Sequence, residues 1–201
     1  MTSNTTNPYN EQLLAAAAEN DKQTMAELLL LCDPLFKDSW PLILAADFGL
    51  TDVVEKLIPV SNPKANGSAA LAAAARNGHV ECLKLLLPVS NSNDGGSFAL
   101  RTAAANGQAE SVKLLLGHSD VFAFGCAALA CAVRYNHSEC IDVLYPISDP
   151  KQALATLIQY IKPQDAQHWV QRFAEVEAQQ QRTRIAREVP ASGKEPVRLK
   201  L

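Results

Sequence analysis

Small apolar residues and polar punctuation alternate along the chain in the rhythm of paired short helices. In residues 68 to 96 the run SAALAAAAR is compact enough to pack closely as a helix. Asn77-Gly78 follows it, where the chain can take a positive φ and end the helix. Nine residues from His79 then carry an apolar stripe through Cys82, Leu83, Leu86 and Leu87 and stop at Pro88, which cannot continue a helical hydrogen-bond ladder. The pattern predicts helix, turn, helix, loop.

The pattern recurs. QLLAAAAEN, PLILAADFG, AALAAAARNG, FALRTAAANG and AALACAVRYN are anchored at Asn20, Gly49, Gly78, Gly107 and Asn136, each 29 residues after the one before. A fixed period of this size marks a repeat architecture. Isolated helices shorter than about 12 to 15 residues are marginal in water, so stacked neighbours must supply the missing burial. One slot of the second helix is accordingly filled by Thr24, Val53, Cys82, Ser111 and Cys140, and the next by Met25, Val54, Leu83, Val112 and Ile141. All are expected in a shared core.

Residues 69 to 87, AALAAAARNGHVECLKLLL, resemble the ankyrin repeat, whose pattern runs TPLHxAAxxGHxExVKxLL. Pro41-Leu42 keeps part of the TPLH tetrapeptide, Ala74-Ala75 and Ala103-Ala104 match the double alanine, and Gly78-His79 and Val112 to Leu116 match the second-helix signature. The likeness covers roughly residues 10 to 154. Each unit is about four residues shorter than the usual 33. The threonine and histidine of TPLH are missing, and the connectors PVSNPKAN, PVSNSNDG, GHSDVFAF and PISDPKQA lack the GADVN hairpin. The resemblance implies an all-α, ankyrin-like solenoid of helical pairs with truncated hairpin loops, and a function in binding other proteins.

The expected organisation is a flexible N-terminus (1–9), five units (10–38, 39–67, 68–96, 97–125 and 126–154), C-terminal capping helices (155–187) and a disordered tail (188–201). The polar residues Glu11, Gln12, Glu19, Asp21, Lys22 and Gln23 suit a first unit that faces water. At the other end, Ala155 to Ile161 continue the register as a first helix. Pro163 is placed to start another, and Ala166, Trp169, Val170 and Phe173, continued at Val176, form a stripe facing the array.

Composition narrows the function classes. Alanine and leucine dominate the repeats and only 6% of residues are aromatic, which favours helices over a β-sandwich. No apolar run reaches the roughly 18 to 20 residues of a membrane span, and the N-terminus lacks the marks of a Sec signal peptide. The five cysteines include no CxxC pair, so reduced thiols in the cytoplasm are expected. Residues 1–150 hold 9 basic and 16 acidic side chains (−7), and residues 151–201 hold 9 and 5 (+4). An acidic body argues against gripping a phosphate backbone.

His79-Val80-Glu81-Cys82 and His137-Ser138-Glu139-Cys140 look like half of a zinc deaminase site, but no P-C-x-x-C partner exists to complete a metal set. No H-E-x-x-H, G-x-S-x-G or phosphate-binding glycine loop occurs. The expectation is therefore no enzyme, no metal and no cofactor. Two other classes remain to be weighed, both using the C-terminal extension: an enzyme, and a nucleic-acid binder with Arg182, Arg184, Arg187, Lys194, Arg198 and Lys200 on phosphates.

In an ankyrin-like stack the first helices line one concave surface. The ladder across repeats places Trp40, Phe48, Arg76, Phe98, Arg101, Arg134 and Tyr135 there as candidate partner-binding residues, of the types that carry interface hot spots. The expected partner is another protein, with no membrane and a monomeric chain. Short degenerate units of this kind resemble the ankyrin proteins of bacteria and their viruses, which adds the expectation of an effector or inhibitor that binds one target, delivered to a host cell by a leaderless route.

Overall fold

The computed structural model describes residues 9, 12, 13, 16, 19, 21–159 and 163–188. Every element among them is helical: α1 (Lys22–Leu31), α2 (Phe36–Phe48), α3 (Thr51–Leu57), α4 (Ala65–Asn77), α5 (Val80–Leu86), α6 (Asp94–Ala105), α7 (Ala109–Leu116), α8 (Ala123–Arg134), α9 (Ser138–Leu144), α10 (Pro150–Gln159) and α11 (Ala166–Glu188). Short 3₁₀ turns follow α3 and α9. The first helices α2, α4, α6, α8 and α10 pack side by side as one layer, and the shorter α3, α5, α7 and α9 form the other.

The core repeats as the sequence does. Leu42, Leu71, Leu100 and Leu129 are fully buried at one position of the first helices, with Ala45, Ala74, Ala103 and Ala132 one turn on. Small residues let these helices approach closely, and the larger side chains Val54, Leu83, Val112 and Ile141 of the second layer fill the space behind them. Val53, Cys82, Ser111 and Cys140 are buried as expected, but Thr24 is exposed. It takes part in the N-terminal cap of α1 instead: in the first turn its N–H donates to Oδ1 of the capping residue Asp21 at 3.2 Å.

The helices α2, α4 and α6 are longer than expected because three left-handed residues precede each regular segment. Lys37, Asp38 and Ser39 have φ of 44, 55 and 64°, and Asn66-Gly67-Ser68 and Gly95-Gly96-Ser97 repeat the turn. Such a conformation is costly for residues with a Cβ, and a bond from the next connector offsets it. The N–H of Asn62 donates to Ser39 Oγ at 2.8 Å, that of Asn91 to Ser68 Oγ at 2.9 Å and that of Asp120 to Ser97 Oγ at 3.0 Å. Cys126 takes the serine's place in the last unit, accepting from Asp149 N–H at 3.3 Å. This junction of turn and serine occupies the place of the family's hairpin.

At the C-terminal end α10 begins at Pro150, five residues before the expected start at Ala155, and Ile161 lies outside the described residues. Phe173 and Val176 of α11 are buried against the stack and Trp169 is half-buried, whereas Val170 is exposed. The packed stripe therefore runs 169, 173, 176 and leaves 170 on the outer side. Gln180 of α11 reaches across to Asp142 Oδ1 at 2.5 Å. The expected tail from residue 188 falls almost wholly outside the described residues.

Candidate functional site

The layer of first helices carries a furrow along α4. Repeat positions that hold Trp40, Ile43 and Leu44 on α2, and Phe98, Arg101 and Thr102 on α6, hold Ala69, Ala72 and Ala73 on α4. Neighbouring helix axes lie about 8 to 10 Å apart, so three truncated side chains in a row leave a channel bounded by the aromatic residues on either side. Its volume is about 370 Å³, and Trp40, Ile43, Leu44, Ala69, Ala72 and Phe98 line it. Asp47 and Arg76 close its C-terminal end, where Arg76 Nη2 and Asp47 Oδ1 are 2.5 Å apart.

Each expected site residue has a definite place. Trp40 is half-buried and meets Phe36 edge to face at 6.5 Å between ring centroids. Phe98 is 46% exposed at the opposite wall. Arg76 is exposed but tied to Asp47, which also accepts from Asn77 Nδ2 at 2.7 Å. Phe48 is half-buried beside Gly49 and lies outside the furrow lining, and its carbonyl accepts from Lys22 Nζ at 2.9 Å. The furrow thus unites Trp40, Arg76 and Phe98, while the other four candidates lie beyond its walls.

Arg101, Arg134 and Tyr135 belong to a second group, over α6 and α8. The Arg101 guanidinium carbon sits 5.5 Å from the Phe98 ring centroid and 4.9 Å from that of Phe124, and Nη2 donates to Gly95 O at 3.0 Å. Arg134 lies 5.6 Å from the Tyr135 ring. These are cation–π distances. Burial raises the Cys131 thiol above its usual range, and the positive charges of Arg101 and Arg134 oppose that rise. Phe122 and Phe124 stand at the start of α8. They are 56% and 60% exposed, and the Phe124 ring covers Gly96, where a Cβ would collide with it.

The histidines are structural contacts between units. His79 Nε2 faces Asp47 O at 3.0 Å and His137 Nε2 faces Ala105 O at 2.9 Å. A carbonyl only accepts, so each Nε2 carries the proton. Burial pushes the thiols of Cys82 and Cys140 up, the latter to about 11, so neither is a nucleophile near neutral pH. Among the described residues no group of three His, Cys, Asp or Glu side chains is arranged to hold a metal ion, and no helix is long and apolar enough to cross a membrane.

No curated protein matches the chain. A family model described as ankyrin repeats matches three times, over residues 13–95, 42–123 and 88–153, which together span most of the chain and all the helical pairs described above. The chain belongs to the ankyrin repeat family, a family of binding scaffolds, and is a protein–protein interaction module.

Proposed function

We propose that the chain acts by covering one target protein with the concave face of its first helices, with the α4 furrow as the principal contact. The observation that carries this reading is the furrow itself: Ala69, Ala72 and Ala73 form an apolar floor between Trp40 and Phe98, two residues of hot-spot type in a concave setting. Phe48, Arg76, Arg101, Arg134 and Tyr135 extend the contact along the ladder. A scaffold of this kind alters its target through the surface it occupies, which suits the role of an effector or inhibitor that blocks one protein.

Filling the furrow tests it. Ala69 is half-exposed on the floor, so Ala69→Trp occupies the channel without entering the core. A partner captured stoichiometrically by the wild type should be lost with Ala69→Trp and weakened with Phe98→Ala, while thermal unfolding is unchanged. Retention of the partner by both variants would move the site off the furrow.

A further inference from the structure

The carboxylates of the array are concentrated on its second helices, α2 with Asp38 and Asp47 being the exception in the first layer. Asp52, Glu55, Glu81, Glu110, Glu139 and Asp142 are exposed on the second helices. In α4, α6, α8 and α10 the single carboxylate is Asp94, and it is engaged by Ser68 Oγ at 2.8 Å and by Asn91. Arg76, Lys84, Lys113 and Arg172 all have carboxylate partners. Among the described residues Arg101 and Arg134 have none, although both are held in place by aromatic rings. A body of net charge −7 therefore presents two ring-stacked guanidiniums to which no carboxylate among the described residues is paired.

We propose that the face of Arg101 and Arg134 receives an acidic segment of the partner protein, its carboxylates on the two guanidiniums and an apolar side chain against Phe98 and Phe124. The inference rests on the concave-face reading above and adds the chemistry of the bound segment. Guanidinium forks match carboxylates in bidentate geometry, and stacking on rings fixes their direction before binding. Exposed Phe98 and Phe124 supply the apolar contact beside them. A nucleic acid fits less well: two guanidiniums neutralise few phosphates, and the acidic second layer repels a polyanion.

The test uses the full chain, immobilised, and a random display library of short peptides. Enriched peptides should carry Asp or Glu next to Leu, Phe or Trp. A synthetic copy should bind about tenfold more weakly to Arg134→Gln, and likewise when its own Glu is replaced by Gln. Added salt should weaken it. Arg134→Lys keeps the charge but loses the fork and the ring stacking, so it should recover only part of the affinity lost in Arg134→Gln, and an unchanged urea midpoint in both variants separates recognition from folding.

Enriched peptides without acidic residues, or affinity unchanged by both Arg101→Gln and Arg134→Gln, would overturn the proposal. So would a single-stranded oligonucleotide that binds more tightly than any peptide. Apolar peptides lost with Ala69→Trp would overturn the acidic segment while leaving the furrow reading intact. Failure of any peptide to enrich would count against both.

Discussion

The turn that leaves the first helix is built differently inside the array and at its end. At Gly49, Gly78 and Gly107 φ is 71, 74 and 73°, and the space a Cβ would need is taken by His79, Gln108 and His137 of the following unit. Asn136 occupies the same turn with φ of 59° and keeps its side chain. The position one repeat beyond His137 is Ala166, a methyl group at the start of α11, and Arg172 of α11 donates to Asn136 Oδ1 instead. Glycine at this position thus answers to the next unit's side chain as well as to a dihedral.

The largest expected effect comes from Gly107→Ala. A left-handed Ala costs about 1 to 2 kcal/mol, and the His137 ring, 2.6 Å from the added Cβ, must leave its bond to Ala105 O. Urea unfolding should show a loss of about 3 kcal/mol; a loss confined to the dihedral cost would mean the ring is no obstacle. Next in size, His137→Ala alone should cost about 1 to 2 kcal/mol. In a double variant with Gly107→Ala the losses should fall short of their sum, because one change removes the obstacle to the other.

Asn136→Gly should be neutral or gain up to about 1 kcal/mol, the opposite sign from the interior glycines, since Asn there bears the left-handed cost without a ring above it. A clear loss would show that the Arg172 bond outweighs the dihedral. The smallest effect concerns what units exchange in the second layer. Ser111 Oγ is buried with no hydrogen-bond partner among the described residues, where equivalent units have Val53, Cys82 and Cys140. Ser111→Cys should therefore raise stability by about 1 kcal/mol in the same urea assay.

Much of the fold was legible in the sequence because stacking imposes one constraint many times. A period of 29 residues, a glycine at each interior exit turn and an apolar second-helix stripe all express the same contact between neighbours. The entry turns were not legible. Lys37-Asp38-Ser39 does not look like a left-handed turn, and what permits it is an N–H donated from position 62 to Ser39 Oγ. The recurrence of Ser39, Ser68 and Ser97 at the repeat interval was the available signal. Thr24 was misplaced because an end unit obeys capping rather than stacking, and Val170 because period alone does not fix which way a lone terminal helix rolls.

The candidate site was half visible. The ladder found Trp40 and Phe98, yet the feature between them is made by residues that do least, Ala69, Ala72 and Ala73. A search for conspicuous side chains passes over a cavity, which is defined by small ones. The pairing of Arg101 with Phe124, 23 residues away, required the loop to fold back over Gly96.

The serine junction has a consequence for how this surface can change. Ser68 and Ser97 sit at the same place in successive units, so excising residues 68–96 would join Gly67 to Ser97 and recreate the turn Asn66-Gly67-Ser97, with its acceptor for Asp120 N–H intact. The floor would be gone and Trp40 would lie one helix from Phe98. Duplicating the segment would instead set them three helices apart. The distance between the two walls is therefore quantised in whole repeats, and the span of partner the face can admit changes in steps rather than by gradual drift.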